Sequence, residues 1–121
     1  MHFTLFFVPC GKIFKIMEDN RILKFVDSSY KECEVTGRDM GGDDCYEMPV
    51  KDLKIGRVNW PNEKRYTNHS VYITEITEET VAVEVYHVSR NSTKLVLRRG
   101  DKKTYSYMFG EWSYGYTLVL E

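Results

Sequence analysis

At 121 residues the chain has the size of one ordinary domain, residues 1–121, and is long enough to bury a core without disulfide or metal staples. Apolar residues make up 42 % and charged residues 29 %, the balance of a soluble globular protein, and a formal charge of −1 offers none of the cationic attraction that phosphate backbones demand. These values disfavour nucleic acid as a partner, and three cysteines (Cys10, Cys33, Cys45), odd in number and without metal-type spacing, disfavour a disulfide scaffold and predict a reducing, cytoplasmic setting.

The first segment, Phe3 to Val8, is aromatic and β-branched on both parities, which predicts a strand covered on both faces. It lacks the basic leader of an export signal, and its apolar stretch of about six residues falls short of the roughly 7 that such a signal requires. No apolar run approaches the roughly 18 residues of a membrane helix, so no membrane partner is expected. Residues 12–17 and 21–26 flank Glu18-Asp19-Asn20, whose Asp and Asn suit a tight turn, and predict a hairpin. Residues 30–35 suggest a short edge strand.

Regularity then breaks down over residues 36–68, where Gly37, Gly41, Gly42, Gly56, Pro49 and Pro61 interrupt any pattern, and a long irregular segment is expected with a short strand or helical turn near 50–58. Within it, "DMGGDDC" sets Asp39, Asp43 and Asp44 close together as a weak candidate for a cation site. Their spacing matches no standard calcium loop, and a solvated turn is the simpler reading. Trp60, ahead of Pro61, is placed at a barrel end or an interface.

In residues 71–88 a loop at Glu78-Glu79 pairs Ile76 with Val81, Thr74 with Val83 and Tyr72 with Val85. Glu75 and Glu84 fall on the opposite face, and His87 on the core side. After a turn at 89–93, Leu95 and Leu97 are in phase; if they share a face with the final hairpin, the turn at Arg98–Asp101 must shift parity. Arg99-Gly100-Asp101 copies an adhesion tripeptide, and Asn68 and Asn91 begin glycosylation-type triplets, but turn chemistry and chance explain these short matches. The last hairpin turns at Gly110-Glu111, suited to type II′, and sets Phe109 opposite Trp112, Tyr107 opposite Tyr114 and Tyr105 opposite Tyr116, an aromatic ladder extended by Leu118 and Leu120.

Only strand-type patterns recur, so the fold expected is all-β or β-rich: a single-domain antiparallel meander forming a barrel or a sandwich. No nucleophile motif, phosphate loop or zinc spacing is present, and neither an enzyme nor a cofactor is called for. A cysteine paired with His69 or His87 is the residual catalytic possibility. The leading expectation is a small non-catalytic intracellular binding protein acting through protein–protein contact, of inhibitor, immunity or adaptor type. The alternative is a small-ligand barrel lined by Tyr105, Tyr107, Tyr114 and Tyr116, which, with Trp60, are the candidate binding residues.

Overall fold

The computed structural model describes residues 3–7, 13–17, 19–33 and 38–121, with side-chain packing for 19–31 and 41–121. Strands β1 (Phe3–Phe7) and β2 (Ile13–Met17) pair antiparallel as a two-stranded sheet. The remaining strands are β3 (Ile22–Cys33), β4 (Arg38–Pro49), β5 (Gly56–Arg57), β6 (Ser70–Ile76), β7 (Thr80–Tyr86), β8 (Ser92–Arg98), β9 (Lys102–Phe109) and β10 (Trp112–Leu120). They form two antiparallel four-stranded sheets, ordered β4-β3-β10-β9 and β5-β6-β7-β8.

The all-β expectation holds, in the form of a sandwich. Alternation within each strand sends Leu23, Phe25, Tyr116, Leu118 and Leu120 inward from the first sheet and Val71, Ile73, Val81, Val83, Val85 and Leu97 inward from the second, and these join one buried core. The barrel does not form: among the described residues no ladder joins β9 to β8 or β4 to β5. The turn at Arg98–Asp101, with Gly100 at φ 94°, therefore carries the chain from one sheet to the other. Leu97 enters the shared core from the second sheet, while Tyr116, Leu118 and Leu120 enter it from the first, so no parity shift within a single sheet is needed.

Three local expectations are corrected. Strand β2 pairs with β1, whereas β3 lies between β4 and β10, so the hairpin expected from 12–17 and 21–26 is absent and the segment from Phe3 is not central to a large sheet. The apolar phase of β3 is satisfied by Leu23 opposite Leu120 and Phe25 opposite Leu118, a distant pairing that buries more than a local turn would. Second, the irregular segment assigned to 36–68 begins with a twelve-residue strand, β4, in register with β3 from Ile22↔Pro49 to Cys33↔Arg38. Glycine permits it: Gly41 has φ 104°, and a Cβ there would stand 2.0 Å from the Ser29 carbonyl oxygen. Irregular chain occupies residues 50–69, with a 3₁₀ turn at Val50–Asp52 and the short β5, near where a turn or short strand was expected.

Third, the register of β6 against β7 shifts between Ile73 and Glu75. Ile76 faces Val81 as expected, but beyond Thr74 the pairs become Ile73↔Val83 and Val71↔Val85, so Val71 and Ile73 are buried and Tyr72 turns outward against Tyr86. A β-bulge reconciles the turn register with an apolar phase that changes parity along the strand. Trp60, from the chain before β6, lies inside, with its ring 5.5 Å from that of Phe25 and 6.1 Å from that of Tyr46.

Candidate functional site

The final hairpin forms in the expected register: Trp112↔Phe109, Tyr114↔Tyr107 and Tyr116↔Tyr105. Gly110 has φ 65° and Glu111 is not among the positive-φ residues, which is the type II′ pattern. The ladder grades from core to surface. Tyr116 is 1 % exposed, Tyr107 and Tyr114 are half-buried, and Tyr105 and Phe109 are 42 % and 49 % exposed.

Beneath the ladder lies a polar chain that joins four segments. Asp27, next in phase after Leu23 and Phe25 on β3 and opposite Tyr116, is buried in the core. Its carboxylate accepts the Asn68 N–H at 2.8 Å and the His69 N–H at 3.3 Å on one oxygen, and on the other meets His69 Nδ1 at 2.7 Å. His69 Nε2 lies 2.8 Å from the Tyr107 hydroxyl, which also accepts the Val88 N–H at 2.9 Å. The tautomer that satisfies every group has Nδ1–H donating to Asp27 and the Tyr107 O–H donating to Nε2. Among the described residues no buried side-chain polar atom lacks a partner.

His87 continues the core-side parity of β7, as expected, and stacks on Tyr107 at 4.7 Å and on Tyr105 at 5.0 Å between ring centres. Its Nε2 is 3.0 Å from Thr93 Oγ1 and 3.4 Å from the Tyr116 hydroxyl. Burial, and then the neighbouring His69, push the His87 pKa down. Burial likewise pushes Tyr107 up, outweighing the Val88 N–H that lowers it, and burial raises Tyr116. The Tyr107 oxygen is shared between a backbone donor and a histidine, which ties β9 to the chain at His69 and Val88.

The other candidates disperse. Asp43 and Asp44 are successive strand residues on opposite faces: Asp43 accepts from the Tyr30 hydroxyl, which lowers its pKa, and Asp44 pairs with Lys64 at 2.7 Å. The Asp39 side chain lies outside the described packing, as do those of Cys10 and Cys33, and no metal-ligating group of three forms among the described residues. Cys45 is a free, exposed thiol opposite Val26, on the outer face, and so is not assembled with the inward-facing His69 or His87. Asp27 and His69 escaped the sequence reading as a pair, although a carboxylate in the apolar phase of Leu23 and Phe25 is the signal that marks such a partner.

Exposed large hydrophobic side chains lie in several places, among them Ile55, Tyr66, Tyr86 and Val96, and three fall together on one outer strand of the first sheet. In β9, seven of eight residues are exposed (pattern eeeeeiee), among them Tyr105, Met108 and Phe109, with Tyr30 nearby on β3. No helix among the described residues is long and apolar enough to cross a membrane. No family model, curated protein or solved structure matches the chain.

Proposed function

We propose that the protein is a non-enzymatic, single-domain binding module of the cytoplasm that works by docking on protein through β9 and the aromatic end of its sheet, as inhibitors, immunity factors and adaptors do. The observation that carries this reading is the uncovered edge strand: β9 is exposed along nearly its whole length and concentrates Tyr105, Met108 and Phe109 there. An edge strand with unpaired backbone groups is a template for strand addition, and neighbouring aromatic side chains supply contact area. The polar chain from Asp27 to Tyr107 supports the reading from below by fixing the strand that presents the surface. A free thiol at Cys45 fits a reducing compartment.

A ligand-lined cavity is less well supported, because the tyrosine faces are already occupied: Tyr107 stacks on both His87 and Tyr114, and Tyr105 on Tyr116. The test is capture of host proteins on immobilised wild-type protein and on Met108→Glu, a change at a residue 68 % exposed. The account expects the captured set to be lost in the variant while its denaturation midpoint is unchanged. Retention of the same proteins by Met108→Glu would contradict it.

A further inference from the structure

We infer that the strand received by the β9 edge belongs to another protein and ends in carboxylates: an extended segment, added antiparallel, apolar where it meets Phe109 and Met108 and acidic where it passes Lys103 and Lys102. The inference rests on the reading of β9 as a docking strand and names the chemistry of its partner. In an antiparallel ladder, successive residues turn their N–H and C=O alternately toward and away from the neighbouring strand. The two-residue turn makes Phe109 and Trp112 a closing hydrogen-bonded pair, so Tyr107, Tyr105 and Lys103 also bond toward β10. The far end agrees, since the Asp101 carbonyl accepts the Leu120 N–H at 3.1 Å. Lys102, Thr104, Ser106 and Met108 therefore direct their backbone groups outward, from a strand that is the last of its sheet.

Charge selects the occupant. β9 reads KKTYSYMF, with two cations at its first end, no carboxylate, and an uncharged run from Thr104 to Phe109. The charges around it are matched: Arg98 pairs with Glu79, Lys24 with Glu121 and, at the turn end, Glu111 with Lys31, while Arg99 donates to the Asn20 side-chain carbonyl. Lys102 and Lys103 are exposed, and neither joins an ion pair among the described residues. Lys102 opposes Val119 on the outer face, and Lys103 opposes the inward Leu118. Two adjacent carboxylates on an added strand therefore answer both cations, one on each face. The exposed apolar side chains divide in the same way, Met108 outside and Tyr105 and Phe109 inside, so the added segment begins with apolar residues on both faces. Lysines on an edge also exclude unwanted strands. Here they occupy only the first end and so choose among strands, refusing one that is basic there. A second copy of β9 does not satisfy them, because it brings no carboxylate.

The experiment is titration of the full chain with two peptides of the length of β9, blocked at both ends: Val-Leu-Thr-Thr-Ile-Thr-Glu-Glu, and the same sequence ending in Lys-Lys. Binding is followed by amide chemical shifts, and the mass of the protein alone by sedimentation. The acidic peptide is expected to shift the amides of Thr104, Ser106 and Met108 and to bind about tenfold more tightly than the basic one. Lys102→Glu with Lys103→Glu, at two exposed positions, is expected to reverse that preference. Ser106→Pro removes an outward N–H and no bond to β10, and is expected to abolish binding of both peptides with native far-ultraviolet circular dichroism. A preference that survives the double change, or a protein that is dimeric on its own with those three amides protected, overturns the inference. Equal affinity for the two peptides with those amides shifted overturns the acidic end alone and leaves β9 as the docking strand. Binding of neither peptide also overturns the inference, since docking of other proteins is read separately by their capture.

Discussion

Asp27 shows how one residue ties a fold together. A carboxylate at a core position is tolerated because three donors converge on it, two of them backbone N–H groups of the chain entering β6. Asp27→Asn keeps the size but turns an amide N–H₂ toward a donor, and is expected to cost about 2 to 3 kcal/mol in urea denaturation, the scale of losing hydrogen bonds to a charged group and leaving a buried donor unpaired. Tyr107→Phe, which strands the Val88 N–H and His69 Nε2, is expected to cost about 1 to 2 kcal/mol by the same measurement. His87 gives a pH signature. Burial and then His69 lower its pKa in the folded protein from the ordinary 6.5, so the unfolded chain takes up the proton first as pH falls. The stability present above pH 6.5 is accordingly lost as the pH falls through the lower folded value. His87→Phe, which retains the stacking, should flatten that slope in denaturation curves taken at successive pH values; an unchanged slope would assign it to other groups. In sequence, His69 and Tyr107 were marked singly and Asp27 was not marked at all, because the three lie far apart and only their shared inward phase connects them.

At the scale of elements, legibility followed locality. The β9–β10 hairpin was readable to the residue because a two-residue turn sets its register, and Gly110 marks that turn. The β6–β7 pair was readable only near its turn, since the bulge at Thr74 answers a demand of the core on Val71 and Ile73. The least legible element was β4, where two glycines and four carboxylates (Asp39, Asp43, Asp44 and Glu47) resemble a loop; its pairing depends on β3, which supplies a partner to every residue from Arg38 to Pro49. The two glycine sites should respond differently to alanine. Gly110→Ala meets no neighbour within 4 Å and is expected to cost about 1 kcal/mol, for the positive φ alone. Gly41→Ala drives a methyl into the Ser29 carbonyl and is expected to cost about 3 kcal/mol or more, as strain and steric conflict combine. Equal thermal shifts for the two variants would mean that β4 does not run so close to β3.

At the scale of the whole molecule, the choice between barrel and sandwich was settled by how the strands assemble. The inward phases of β7 and β10 were visible in the sequence, but not that the turn at Arg98–Asp101 changes sheets, which leaves β8 and β9 as separate edges. Among the described residues neither edge carries a further strand. The most direct measurement of the docking account is amide hydrogen exchange, residue by residue, on dilute protein and on protein with its β9 partner bound. The account expects the amides of Thr104, Ser106 and Met108 to exchange freely in the dilute protein and to become protected together on binding, while those of Tyr105 and Tyr107, already bonded toward β10, change little. Binding that leaves those three amides as exchangeable as before would contradict it.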